Sequence, residues 1–349
     1  MSDVAIRRDG HAGRITLTRP KALNALSYEM CLEIDAALQA WAQDRAVSLV
    51  VIDAEGEKAF CAGGDIAEIY ATGRAGDYSY ARRFWRDEYR MNARIAEFPK
   101  PVVSFLQGFT MGGGVGLGCH ASHRVVGDSS QIAMPECGIG LVPDVGGSLL
   151  LARAPGQLGA YLGLTGARMG PGDAIHAGFA DLYRTEADWP QIKTALCETG
   201  DIAGLTGAPP PQAPLAAEAA LIDAAFGQDR LAAVVDALEG TDSAFAQRAR
   251  AAVLRNSPLA MACALAMLRR LQATDTIRTA LALEYRFTHR ALGASDFLEG
   301  IRAAIIDRDR SPRWRHARVG DVTQAEVAAM LAALGAEELS FETREERTQ

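Results

Sequence analysis

Two glycine-rich turns and two nearby carboxyl groups hold the chemistry that can be read from this chain. Residues Ala59 to Asp65 read AFCAGGD and Gly108 to Gly118 read GFTMGGGVGLG, each just after a short apolar run of strand character. No Lys-Ser or Lys-Thr follows either turn and no G-x-G-x-x-G can be placed, so neither is a Walker loop or a dinucleotide fingerprint. What remains is backbone that must approach something closely, with amide N–H groups free where a helix begins. One such turn alone reads best as tight helix–strand packing. Two can each supply one donor to a shared oxyanion, and losing one donor of that kind typically costs ~10²–10³ in rate. The acids follow at once. Met134-Pro135-Glu136 and Val142-Pro143-Asp144 lie in the stretch QIAMPECGIGLVPDVGG. Its prolines and glycines bar a regular helix. Its apolar neighbours raise a carboxyl pKa toward the range useful for proton transfer. Taken singly, Asp144 reads as a cap for a helix beginning at Val145, and Glu136 as the partner of a local arginine. Two acids so soon after an oxyanion turn favour catalysis.

Other reactive side chains say less. Cys61 has no histidine tied to it by sequence, and a small buried thiol is the commoner role. His120 and His123 form HxxH without an evident third ligand, so no metal site is expected. No G-x-S-x-G occurs. Glu88 falls in the helical run RFWRDEYRM (Arg83 to Met91), where an acid ordinarily sits on a solvated face. The six cysteines form no CxxC pair, which argues against a zinc ribbon or a disulfide framework. Reduced thiols, and a start (Met1-Ser2-Asp3-Val4) without an apolar signal core, give the expectation of a cytoplasmic protein.

These groups need elements to hold them. Arg14 to Arg19 alternates as a strand, and Ser27 reads as an N-cap before a helix with Met30, Ile34, Leu38 and Trp41 on one face. Val47 to Asp53 and Val102 to Leu106 read as buried strands, with a charged helix over Tyr78 to Phe98 between them. A helix opens within Gly112 to His120, short strand pieces follow at Val125-Val126 and Ile132-Ala133, and Val145 to Leu164 reads as helix. The alternation argues for an α/β core. Thr199 to Pro214 carries four prolines and three glycines and reads as a linker; Leu215 to Leu339 is mostly Ala/Leu/Arg-rich helix. The expected organisation of the 349 residues is a core over 1–198, a linker over 199–214 and a helical region over 215–349. A net charge of −7 without a long basic run argues against nucleic acid as a partner. No stretch approaches the ~20 apolar residues of a membrane helix.

The residues also carry a resemblance. AFCAGGDI, GFTMGGGVGL, MPE and PDVGG together resemble the crotonase superfamily, whose members act on coenzyme A thioesters. RPKALNAL (Arg19 to Leu26) resembles that family's CoA-contacting turn. DFLEGIRAAIIDRDRSPRW (Asp296 to Trp314), Glu284-Tyr285-Arg286 and Leu339-Ser340-Phe341 are similar to its 3-hydroxyisobutyryl-CoA hydrolase branch. The resemblance implies a spiral of ββα turns with a helical C-terminal region, and an oxyanion hole from the amides of Gly64 and Gly113. Where hydratases of the family carry a catalytic glutamate, this chain has Gly116; their second glutamate matches Glu136, and Asp144 stands where they have glycine. This implies a thioester hydrolase using Glu136 on the attacking side, as nucleophile or as general base, and Asp144 as water-positioning or proton-shuttling acid. Glu88 would meet the substrate hydroxyl. Lys21, Ala22, Leu23, Ala62, Asp65 and Ile66 would contact the substrate. Lys21, Lys58 and the arginines from Arg302 to Arg315 are available for the CoA phosphates. No cofactor is implied beyond the CoA of the substrate, and a homo-oligomer is compatible with the family. An enoyl-CoA hydratase or isomerase, and a non-catalytic CoA-binding paralogue, are the rival readings.

Overall fold

The computed structural model describes residues 3–341. The first strands, β1 (Val4–Asp9) and β2 (Ala12–Leu17), form an antiparallel hairpin closed at Gly10, whose φ of +56° suits glycine. Pro20 opens a short turn and ends β2 two residues before the expected boundary. Helix α1 (Tyr28–Gln43) begins as its cap predicts: the Ser27 hydroxyl accepts from Met30 N at 3.2 Å, and Met30, Ile34 and Leu38 are buried along one stripe. Strand β3 (Leu49–Ala54) then pairs parallel with β2.

From here the chain repeats a pattern of one strand in a long sheet, one in a short sheet, then helix. β3 is followed by β4 (Ala59–Cys61) and the helices α2 (Ala67–Arg74) and α3 (Ser79–Ala96). β5 (Val102–Phe105) is followed by β6 (Phe109–Met111) and α4 (Gly113–Gly118). β7 (His123–Val126) is followed by β8 (Gln131–Ala133), α5 (Gly147–Arg153) and α6 (Leu158–Thr165), before β9 (Leu182–Tyr183). The long sheet has the order β1-β2-β3-β5-β7-β9 and the short one β4-β6-β8. This is the spiral of ββα turns. Strands β4 and β6 are too short to stand out in the sequence. The run from Val145 to Leu164 is two helices rather than one, because Pro155 and a left-handed Gly156 break it.

The short sheet sets up the site. Its strands are parallel, so their C-terminal ends open at one edge, the edge at which ligands gather in parallel sheets. β4 runs into Ala62-Gly63-Gly64, β6 into Gly112-Gly113, and β8 into Met134-Pro135-Glu136. Three stretches far apart in sequence are thereby set side by side.

Beyond Pro214 the described chain is helical, the longest helix being Ile277–Ala294. One apolar core runs from Val4 to Leu339 and joins the spiral to these helices. A second, smaller core fills the other face of the long sheet against the Trp189–Thr199 helix. Between 199 and 214, Ala208 N donates to Tyr183 O at 2.8 Å and Leu205 packs on the second core. No single helix among the described residues is long and apolar enough to cross a membrane.

Candidate active site

The first glycine turn is fixed by its neighbour in the spiral. Leu26 N donates to Gly63 O at 2.9 Å and Asp65 N donates to Leu26 O at 2.8 Å. These bonds flank Gly64 and turn its own N–H to the opposite side. A Cβ at Gly113 would stand 3.1 Å from Gly64 N, so the second turn approaches the first as only glycine allows. Gly112, at φ +50°, brings the chain past Glu136, whose Oε1 would lie 2.8 Å from a Cβ there. Neither Gly64 N nor Gly113 N donates a hydrogen bond among the described residues.

A cavity of about 190 Å³ opens on these turns. Gly64, Gly113, Glu88, Glu136 and Asp144 all line it, as do Ala62 and Ile66. The rest of the wall is apolar, with Ile69, Phe84, Trp85 and Leu141 joined by Phe297 and Ile305 from the C-terminal region. Each of the three acids is only 4% exposed, and none has a basic partner among the described residues. Glu88 Oε1 and Glu136 Oε2 have no hydrogen-bond partner among the described residues. Burial, reinforced by the charge of Asp144, holds both glutamates well above the usual carboxyl range. Asp144 differs. Burial raises it to about 7, against the Tyr89 hydroxyl, which donates to Oδ2 at 2.7 Å and favours its charged form. Neither bland reading of the sequence applies, since α5 starts at Gly147 without a side-chain cap and Glu136 meets no arginine.

Glu88 is buried because α3 is packed between α1 and the Ile277–Ala294 helix, leaving it no solvated face there. Four other expected residues lie outside the cavity. Lys21 and Ala22 are exposed on the turn after β2, while Leu23 is half-buried and accepts from Ala62 N at 3.0 Å. Asp65 pairs with Arg19 at 3.0 Å. Lys58 is exposed, and Arg302 is engaged by Glu299, Asp307 and Asp309. Burial pushes the Cys61 thiol up to about 12, which makes it a poor nucleophile. His120 Nε2 bonds Val145 O, and no group of three possible metal ligands occurs among the described residues.

Sequence reasoning missed Tyr89 and Glu284. Tyr89 stands beside Glu88 on α3, so a search for donors around an acid could have found it. Glu284 accepts from Gly146 N at 2.8 Å, Ser148 N at 3.1 Å and the Ser148 hydroxyl, with burial pushing it up to about 8 against these donors. Only its place in the motif Glu284-Tyr285-Arg286 marked it.

A glycine-lined cavity at the open edge of a ββα spiral agrees with the comparisons. The chain belongs to the enoyl-CoA hydratase/isomerase (crotonase) family, whose model matches residues 12–331. Among curated proteins it is 37% identical to the mitochondrial 3-hydroxyisobutyryl-CoA hydrolase of Gallus gallus, over 97% of this chain and 91% of that one. It is 34% identical to the protein of the same name from Homo sapiens, with the same coverage. Among solved structures, one described as an enoyl-CoA hydratase from Rhodobacter sphaeroides 2.4.1 shares 61% identity and a TM-score of 0.95, covering 97% of this chain and all 100% of that one. One described as a carnitinyl-CoA dehydratase from Mycobacterium thermoresistibile shares 40% identity and a TM-score of 0.94, covering 99% and 100%.

Proposed function

We propose that this protein hydrolyses a short, branched 3-hydroxyacyl-CoA thioester, 3-hydroxyisobutyryl-CoA being the substrate its relatives' name supplies. One observation carries this reading: a single small cavity holds two undonated amides and the buried acids Glu136 and Asp144, neither with a basic partner among the described residues. The hydratase reading needs an acid at Gly116. That position is closed, because a Cβ there would stand 2.7 Å from Val145 Cβ and 2.8 Å from Asn92 Nδ2.

In this mechanism the thioester carbonyl oxygen accepts from Gly64 N–H and Gly113 N–H, which stabilise the negative charge that attack places on it. The step requires that, of Glu136 and Asp144, only Asp144 carries a proton when substrate is attacked. With the proton on Asp144, the carboxylate of Glu136 is poorly solvated and free to add to the carbonyl carbon. The carbon–sulfur bond breaks, Asp144 gives its proton to the departing thiolate, and an acyl–glutamyl anhydride remains. Asp144, now ionised, takes a proton from the water that opens the anhydride, and Glu136 is regenerated. An acid titrating at about 7 suits both transfers. Glu88 partners the substrate hydroxyl, so acyl groups lacking it leave a buried polar group unpaired and turn over less well. No metal or redox cofactor is required by these steps. Lys21, Lys58 and the exposed arginines after Arg302 are available to the CoA phosphates.

Thiol release from 3-hydroxyisobutyryl-CoA, measured beside hydration of crotonyl-CoA, tests the reading. Release from the first is expected. Hydration of the second without thiol release from the first sinks it in favour of a hydratase.

A further inference from the structure

The turn that presents Asp144 is strained. Val145 has φ +54° and Gly146 φ +79°. A β-branched residue in the left-handed region is an outlier that persists only where its surroundings enforce it. Three side chains grip this turn, Tyr89 and Glu284 buried and His120 half-buried. Tyr89 donates to Asp144 Oδ2 at 2.7 Å. His120 Nε2 lies 2.8 Å from Val145 O; a carbonyl only accepts, so that nitrogen carries the hydrogen. Glu284 receives Gly146 N–H, Ser148 N–H and the Ser148 hydroxyl. Glu284 sits on the Ile277–Ala294 helix one turn before Thr288, whose Oγ1 lies 3.4 Å from the Tyr89 hydroxyl. One helix therefore holds the turn through Glu284 and reaches the donor of Asp144 through Thr288.

We propose that Glu284 is a positioning residue for Asp144, anchoring the strained Val145-Gly146 turn from the C-terminal region, with His120 as the second arm of the clamp. The inference rests on the hydrolase reading of the site. Three donors converge on the two oxygens of Glu284, the Gly146 amide on one and the Ser148 amide and hydroxyl on the other. A glutamine offers one oxygen and sets an NH₂ against one of those donors. Freed from its anchor, Val145 relaxes out of the left-handed region and carries Asp144 with it. Glu284 does not line the cavity, so it acts on Asp144 and not on substrate binding.

The test uses the full chain with Glu284→Gln, His120→Gln and His120→Leu. It measures kcat and KM for 3-hydroxyisobutyryl-CoA, with thermal unfolding to report the folded fraction. Glu284→Gln is expected to lower kcat by about 10²-fold, the cost of a misplacement near 1 Å, while KM holds. His120→Gln keeps an N–H where Nε2 stood and is expected to retain most activity, whereas His120→Leu is expected to lose it. Wild-type kcat in folded Glu284→Gln overturns the inference. So does a loss that merely follows the folded fraction, or equal activity in the two His120 variants. Absence of thiol release by the wild type overturns the hydrolase reading instead.

Discussion

Two buried carboxyl sites flank the long sheet, and they behave in opposite ways. On the face of the second core, Asp53 is met by Arg14 and Lys193, each at 2.9 Å, and by the Thr16 hydroxyl at 2.7 Å. Burial alone raises its pKa, but Lys193, Thr16 and Arg14 outweigh that and leave it below the usual value. On the other face, Glu88, Glu136 and Asp144 are just as buried and have no cation among the described residues to answer them. Burial by itself thus does not mark a reactive acid. The mark is burial left uncompensated, which costs stability and is kept where the chemistry needs it.

Variants at the two sites put this contrast at risk. The largest effect is expected from the unpaired acids. Glu136→Gln, which in the proposed mechanism removes the attacking group, should lower kcat about 10³–10⁴-fold, and Asp144→Asn about 10²–10³-fold, read from thiol release under saturating substrate. Neither should lower the melting temperature near neutrality. The folded pKa of Asp144, about 7, lies above its ordinary 3.8, so the native state binds more protons and stability falls as pH rises between those values. Asp144→Asn should flatten that slope in thermal melts, and an unchanged slope would contradict the assignment. Next is Gly113→Ala, whose methyl group would crowd Gly64 N and Glu88 Oε1. A loss of about 10²-fold in kcat with the fold retained is expected, and retention of full activity would count against the amide pair. Smallest for catalysis is Asp53→Asn. It should leave kcat untouched and cost about 3 kcal/mol of stability by denaturant titration, because it strands two cations. Its depressed pKa gives the opposite pH sense, with stability present above the ordinary carboxyl range and lost as pH falls through the folded value.

Much of the spiral can be read along the chain, because its helices announce themselves locally. Ser27 caps α1 and the Met30, Ile34, Leu38 stripe faces the core, both as their spacing predicts. Gly64, Gly113, Glu136 and Asp144 could be singled out because glycines and prolines crowd the segments that hold them. What stayed hidden depends on contacts between remote segments. Strands of three residues such as β4 and β6 exist only by pairing with each other and with β8. Glu88 is polar on a charged helix, and only packing between α1 and a helix some two hundred residues onward makes it a cavity wall. Glu284 reaches Gly146 across a separation of 138 residues, which no local pattern can convey.

The crowding at Gly116 has a consequence for redesign. Any side chain grafted there would strike Val145, the residue next to Asp144 in the left-handed turn. Converting this scaffold to hydratase chemistry is therefore a coupled exchange of two residues and a loop, and a one-step route would first pass through a protein able to perform neither reaction.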